Sequence, residues 1–246
     1  VIQVRNVSFS YPDGNQAVSN VSFDIGEKST VAAVGANGAG KSTLLALLAG
    51  IHAADTGEIV IGGVPVKKDR LEEIRRKIGY VFQNPDDQLF MARVYDDVAF
   101  GPRNFGFSAD EVGQMAENAI ETMKIGHLRD RAPHRLSGGE KRNVAIAAVL
   151  AMAPEVLLLD EPGSYLDPKS RRNFIRAMAE LPHTKFIATH DLDMVLDLCE
   201  RVIILKQGRV FADGKPAELF RDQELMEEAG LEVPHGIHHL TNSEIF

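Results

Sequence analysis

The string GANGAGKST at residues 35–43 restricts the fold more than any other part of this 246-residue chain. It fits G-x-x-x-x-G-K-[ST], in which glycines let successive backbone N–H groups converge on phosphate oxygens while a lysine adds a point charge. A dinucleotide loop would instead need G-x-G-x-x-G. Asp55 does follow at the distance such a loop wants, but Gly35, Gly38 and Gly40 come in the other order and run straight into Lys41 and Ser42. Lys41 is therefore expected to meet β- and γ-phosphate oxygens, and the Ser42 hydroxyl to ligate Mg²⁺, a hard cation that prefers oxygen donors.

A loop of this kind sits between a strand and a helix, and the pattern supplies both. Residues 30–34 read as a strand entering it, and residues 41–49 as a helix leaving it, closed by Gly50. Upstream, residues 3–11 and 18–25 read as strands separated by the turn Pro12-Asp13-Gly14-Asn15. The middle is helical: Ser108-x-x-Glu111 is a capping box opening a helix through Lys124, ended by Gly126. Beyond Pro154, residues 156–159 and 186–189 are short apolar runs that read as buried parallel strands, the first ending in Asp160, the second at His190-Asp191. Between them Asp167 and Pro168 open a helix with Phe174, Ile175 and Met178 on its apolar side. Residues 201–212 form a closing hairpin turning at Gln207-Gly208, and residues 234–240 read as a loose tail. Strand–helix alternation around a phosphate loop predicts an α/β core with its ligand at the carboxyl ends of the strands.

Two further groups carry chemistry. Asp160 and Glu161 follow Val-Leu-Leu-Leu, so two adjacent carboxylates stand where a buried strand emerges and point different ways. Asp160 suits a magnesium shell and Glu161 the attacking water, as general base. Read alone, the pair is equally a strand-ending turn before Pro162. The second group is LSGGE at residues 136–140. Ser137-x-x-Glu140 is a capping box, but two glycines in a first helical turn cost about 1 kcal/mol each relative to alanine, so Gly138 and Gly139 are read as admitting a ligand. A phosphate there would gain from the Ser137 hydroxyl, free N–H groups and the helix dipole.

Composition narrows the partners. A net charge of −8 with both signs interspersed offers no basic face for nucleic acid. The longest apolar stretch, residues 144–153, is half of what a bilayer crossing requires, so no membrane insertion is expected. The absence of a leader-like opening and the lone Cys199 point to a reducing, cytosolic compartment.

With these residues in place the chain resembles the ATP-binding cassette ATPases, the nucleotide-binding subunits that power membrane transporters, over essentially its whole length. The resemblance implies a single domain over residues 1–246: a RecA-like P-loop core with an N-terminal antiparallel β subdomain (about 1–85 and 154–220), an inserted α-helical subdomain (86–153) and a C-terminal tail (221–246). It implies that Tyr11 stacks on adenine, and that Gly35, Asn37, Gly38, Ala39, Gly40, Lys41, Ser42 and Thr43 form the Walker A loop. Gln83 would touch Mg²⁺ and the attacking water, Asp160 would ligate Mg²⁺ directly or through water, His190 would hold the γ-phosphate, and Asp167 would lie at a dimer seam. Two chains would pack head to tail, each ATP lying between one chain's Walker A loop and the other's signature, Ser137, Gly138, Gly139 and Glu140. The chain departs from the family at Glu140, where glutamine is usual, at Tyr165, where a small residue is common, and at Ala36, where proline is usual.

A narrower resemblance, in QNPDDQLF at residues 83–90 and DDVAFGPRNFG at 96–106, is to the energy-coupling-factor importers and particularly their cobalt and nickel branch. It implies a transmembrane coupling subunit docked near Phe90, Val94, Phe100 and Phe105, a substrate-binding membrane subunit, and a peripheral position on the cytoplasmic side of the cell membrane. Vitamin uptake, such as biotin, and a soluble cassette ATPase, such as an iron–sulfur assembly component, stay open as alternatives. His235, His238 and His239 read as a solvated tail in preference to a metal site.

Overall fold

The computed structural model describes residues 1–237. In chain order these form β1 (Ile2–Ser10), β2 (Gln16–Ile25), β3 (Thr30–Val34), α1 (Lys41–Leu48), β4 (Thr56–Ile61), β5 (Val64–Pro65), α2 (Leu71–Lys77), β6 (Ile78–Val81), α3 (Val94–Asn104), α4 (Ala109–Thr122), α5 (Gly138–Leu150), β7 (Val156–Asp160), α6 (Pro168–Glu180), β8 (Thr184–Ala188), α7 (Leu192–Leu198), β9 (Arg201–Lys206), β10 (Arg209–Gly214), α8 (Pro216–Leu219) and α9 (Gln223–Ala229). A four-stranded antiparallel sheet has the order β2-β1-β4-β5, and a six-stranded sheet the order β10-β9-β3-β8-β7-β6. In the larger sheet every pair is parallel except the β9–β10 hairpin at the edge.

Alternation along the central strands splits the core in two. Ala32, Val34, Leu157, Leu159, Ile187, Val202 and Ile204 face α3 to α7, whereas Val31, Ala33, Val156, Leu158, Phe186, Ala188, Ile203 and Leu205 face α1 and the antiparallel sheet. Strands buried on both faces read as continuous apolar runs, so VLLL and VIIL carry no visible alternation in the sequence while obeying it in space. Each of the larger side chains so buried contributes about 1.5–3 kcal/mol of transfer free energy. Because β3, β6, β7 and β8 run parallel, Val34, Val81, Asp160 and Ala188 emerge along one edge, each leading into a segment with chemistry-bearing residues.

The expected α/β core, antiparallel sheet and inserted helices are all present, the helices α3, α4 and α5 lying between β6 and β7. Three details differ. The helix from Ser108 has the full reciprocal capping box but ends at Thr122, because Lys124 takes a left-handed conformation (φ 56°); Gly126 begins a separate 3₁₀ turn. The strands β4, β5 and β6 were not individually marked by the pattern. The start of the expected loose tail is packed: the Gly236 N–H donates to Asp193 Oδ1 (2.8 Å) and Ile237 is buried in the helical core. Residues 238–240 of that segment lie outside the described residues.

Candidate nucleotide site

The glycine loop has a shape that its own neighbours dictate. Gly35 (φ 155°) lies so close to β9 that a Cβ would stand 2.3 Å from the Leu205 carbonyl oxygen, and at Gly40 (φ 102°) one would stand 2.4 Å from that of Ala17. Both positions need glycine for conformation and for room. The helix α1 then starts at Lys41 with no side-chain cap on its N–H groups, an arrangement that favours an anion at its N-terminus. Lys41 Nζ donates to the Gly35 and Ala36 carbonyl oxygens (2.7 and 3.2 Å). Burial lowers its pKa, against the opposing pull of the Glu161 and Asp160 carboxylates.

The carboxylate pair diverges as expected. Ser42 Oγ donates to Asp160 Oδ1 (3.0 Å) and Tyr80 Oη to Asp160 Oδ2 (3.4 Å). Burial pushes the Asp160 carboxyl up, and the Ser42 bond works in the opposite direction. Glu161, in a left-handed conformation (φ 43°), turns away: its Oε2 accepts from Thr189 Oγ1 (3.1 Å) and the His190 N–H (3.3 Å), and lies 2.8 Å from His190 Nδ1. All three contacts converge on Oε2, which leaves Oε1 for another proton donor.

A cleft of about 310 Å³ gathers Tyr11, Asn15, Ala17, residues 37–43, Gln83 and Glu161. Tyr11 Oη is 3.0 Å from Thr43 Oγ1, and its ring meets Phe9 and His52 edge-on at 5.1 and 5.7 Å between centroids. The Ser42 hydroxyl and Asp160 carboxylate, already joined, are hard oxygen donors at the mouth of a phosphate loop and fit Mg²⁺.

The other expected residues lie elsewhere. Ser137 and Glu140 satisfy each other: Glu140 Oε2 accepts from the Ser137 N–H and Oγ (both 2.8 Å), while the Glu140 N–H donates to Ser137 Oγ (3.3 Å). Those bonds hold the Glu140 carboxyl below its ordinary range. A Cβ on Gly139 would stand 2.5 Å from Ser170 Oγ and 2.8 Å from Ser170 Cβ, so close approach within the chain already demands glycine there; at Gly138 its nearest neighbour would be the Tyr165 carbonyl oxygen at 3.7 Å. Gly139, read as admitting a ligand, thus has a second reason to be glycine in its own chain. Asp167 caps α6, accepting from Lys169 N (2.9 Å), Ser170 N (3.1 Å) and Ser170 Oγ (2.6 Å). His190 opens onto a second cleft of about 490 Å³, lined also by Asp191 and His235, which meets the first at Glu161.

Comparison with known proteins gives this half-and-half arrangement its context. The family model for ABC transporters matches residues 18–164, more than half of the chain. The chain belongs to the ABC transporter family. It is an ATP-binding, ATP-hydrolysing member of it. The energy-coupling factor transporter ATP-binding protein EcfA of Methanothermobacter thermautotrophicus is 46% identical over 239 residues, covering 95% of this chain and 77% of that one. EcfA of Carboxydothermus hydrogenoformans is 42% identical over 236 residues, covering 95% and 87%. Among solved structures, CbiO1 of Clostridium perfringens, described as part of the ABC transporter complex CbiONQ, aligns with TM-score 0.84 at 38% identity over 98% of both chains. The cassette MJ0796, solved as a dimer in a post-hydrolysis state bound to ADP and Pi, aligns with TM-score 0.78 at 29% identity, covering 88% of this chain and 99% of that one.

In this ABC ATPase several site-building residues escaped the sequence reading. Arg142, two residues beyond the signature, is 1% exposed and donates from Nη1 to the Phe82 carbonyl oxygen and from Nη2 to that of Gln83, both at 2.6 Å. Burial pulls its pKa down to about 10. Charged residues on α5 look like a solvated face in the sequence, so nothing there marked Arg142. Thr189 adjoins His190 and Tyr80 is the last residue but one of β6, positions the parallel-sheet rule could have flagged. Asn15 was read only as part of a turn.

An apolar groove of about 330 Å³ lies beside the Gln83 segment, lined by Phe82, Gln88, Phe90, Phe100, Phe105 and Met152 among others. Phe90 is 61% exposed and meets Phe100 edge-on at 4.8 Å. Val94, expected in this groove, is fully buried at the start of α3, its N–H bonded to the Arg131 carbonyl, and α3 contributes Asp97, Phe100 and Gly101 to the groove instead. Among the described residues no group of three His, Cys, Asp or Glu side chains could hold a metal ion, and His238 and His239 lie outside them.

Proposed function

We propose that this chain hydrolyses ATP in a composite site formed by two copies and that the resulting closure and opening drive an energy-coupling-factor importer. The observation that carries the first half is the division of the expected site. Walker A, Gln83 and Glu161 line one cleft, whereas Ser137, Gly138 and Asp167 are not part of its lining, which supports a second chain supplying what the cleft lacks. ATP would bind with its phosphates on the loop N–H groups and Lys41, its adenine beside Tyr11, and Mg²⁺ held by Ser42 and Asp160 with Gln83 nearby. Bound there, Mg²⁺ would neutralise phosphate charge. Glu161, clamped through Oε2 by Thr189 and His190, takes the proton of the attacking water on its other oxygen. His190, which leans on Glu161, is placed to reach the γ-phosphate as that charge develops. Loss of the γ-phosphate removes the contacts that hold the two chains shut.

The groove around Phe90, Phe100 and Phe105 supports the transporter half, as a seat for a helix of a transmembrane coupling subunit; Phe90 is too exposed to be core. A substrate-binding membrane subunit completes the complex, and the ATPase is peripheral on the cytoplasmic face; no helix of the described residues is long and apolar enough to cross a membrane. The resemblance of residues 83–90 and 96–106 to the cobalt and nickel branch of these importers favours cobalt or nickel as cargo over a vitamin. Uptake of labelled Co²⁺, Ni²⁺ and biotin by cells expressing the full complex, with Phe90→Asp as control, tests this. ATP-dependent Co²⁺ or Ni²⁺ accumulation abolished by Phe90→Asp is expected. Biotin uptake alone, or purification with a soluble scaffold and no membrane partner, overturns it.

A further inference from the structure

Arg142 is a buried cation with no carboxylate of the described residues within hydrogen-bonding distance. Its two terminal nitrogens are spent on the Phe82 and Gln83 carbonyl oxygens and its Nε has no partner among the described residues; the Asp160 carboxylate favours its charge only through space, and burying a charge without a directly bonded counter-ion is costly. A leucine would fill a helix–sheet interface without that cost, so the guanidinium is kept for what it holds. What it holds is the backbone of Gln83, directly after β6, from a point one turn inside the helix that the signature opens. Two more ties run in parallel: Lys141 Nζ to Asp86 Oδ1 (2.5 Å) and Gln88 Nε2 to the Ala145 carbonyl oxygen (2.9 Å). The segment 82–88 is thus fastened to the first two turns of α5.

Set in the dimer of the preceding section, on which this step rests, the two ends of that fastening belong to different ATP molecules. Gln83 lines the cleft of its own Walker A loop, whereas Ser137 and Gly139 face the nucleotide of the other copy. We propose that Arg142 is a positioning residue through which engagement of the signature in one nucleotide site sets the placement of Gln83 in the other, so that the two sites turn over cooperatively. Carbonyl oxygens fix the backbone and leave the Gln83 amide free to act. Arginine reaches both at once with its planar fork, which the single ammonium of lysine does not reproduce.

The test is ATP turnover against ATP concentration for the full-length protein, wild type beside Arg142→Met, Arg142→Lys, Gln83→Ala and the Arg142→Met/Gln83→Ala double variant. Nucleotide affinity and thermal midpoint are measured on the same samples. Arg142→Met is expected to lower kcat about 10-fold to 10²-fold, as small misplacements of a reacting group do, with ATP affinity held within about twofold because the Walker A loop is untouched. The Hill coefficient falls to about 1, Arg142→Lys recovers part of the loss, and the double variant is no slower than Gln83→Ala. Losses that add in the double variant, or a Hill coefficient unchanged from wild type, overturn the proposal, since a merely structural arginine scales the active fraction and nothing else. Should Arg142→Met fail to fold, Lys141→Ala with Gln88→Ala cuts the two outer ties, and the same pattern at smaller amplitude is expected; no change in cooperativity there counts against the proposal. Light scattering of Glu161→Gln with ATP separates the two levels. A monomer overturns the dimer reading and the inter-site half with it, while the kcat cycle still decides the positioning half.

Discussion

At residues 35–43 the helix that the loop opens starts with no side-chain cap on its N–H groups, whereas at residues 136–140 the helix start is capped by a serine and a glutamate of the same chain. The helix α1 starts with no side-chain cap, Lys41, Ser42, Gln83 and Glu161 line one cleft from segments far apart in sequence, and Asp160 joins them by accepting from Ser42 Oγ. The helix α5 starts with a reciprocal Ser137–Glu140 box, closed by residues three apart. An uncapped N-terminus in a cleft gains most from an anion, while a capped one must trade or share its bonds to accept a phosphate. The first region is therefore expected to bind nucleotide alone, and the second to act only when a second copy brings a phosphate to it.

The largest effects should come from breaking the first region. Lys41→Ala removes the one cation of the cleft and is expected to weaken ATP binding by about 10²-fold or more, the equivalent of one charge-assisted hydrogen bond or somewhat beyond, and to abolish turnover. Equilibrium binding of a fluorescent ATP analogue checks it, and undiminished affinity would refute the loop's role. Glu161→Gln should slow hydrolysis by about 10²-fold or more while sparing binding, because the amide keeps the shape and loses the base. Single-turnover rates near wild type would remove Glu161 from the chemistry.

The difference between the regions also decides what the sequence could reveal. The Walker A loop, the Asp160–Glu161 pair and both capping boxes are local, written in consecutive residues or at a spacing of three, and the structure places them as the pattern implied. The clamp on Glu161 by Thr189 and His190 depends on β7 and β8 being parallel neighbours, a fact that apolar runs suggest only in outline. Arg142 was invisible because its partners are carbonyl oxygens, which every residue has, and because a lone arginine on a charged helix carries no periodic signal. Val94 went to the core, its apolar character having been read without the direction of its helix. Gly139 was read for a ligand when Ser170, thirty-one residues on in sequence, already occupied the space.

That last point yields a test of intermediate size in the second region. Gly139→Ala forces a Cβ to within 2.8 Å of Ser170 Cβ and should destabilise the fold by about 1–3 kcal/mol, as overpacking does. If the intrachain contact is the whole reason for glycine, Ser170→Gly in the same chain restores the thermal midpoint beyond its own small cost and restores ATP-driven dimerisation with it. If a nucleotide of the second copy also needs the space, stability returns but dimerisation does not. The two readouts therefore separate the packing role from the binding role at one position.

The smallest expected effect lies at Glu140, where the capping that satisfies the second region also places a charge beside it. Glutamine keeps an acceptor for the Ser137 N–H, so Glu140→Gln should leave α5 in place. It removes a negative charge from the helix start that, in the proposed dimer, would face the other copy's triphosphate, a charge that Arg131 at 3.8 Å offsets only in part. A change of about 0.3–1 kcal/mol, or two- to fivefold tighter ATP-driven dimerisation in a Glu161→Gln background, is expected, shrinking as salt rises. Acidity supplies the control. The folded-state pKa of Glu140 is depressed, chiefly by its bond from the Ser137 N–H, so its capping contribution is present above the ordinary carboxylate range and is lost as pH falls through the depressed value. The glutamine variant lacks that acid limb. Its thermal midpoint should therefore fall less steeply than wild type on acidification, while its advantage in dimerisation persists at neutral pH. Equal dimer affinity at low salt would mean that Glu140 is turned wholly toward its own cap and contributes nothing to the phosphate of a second copy.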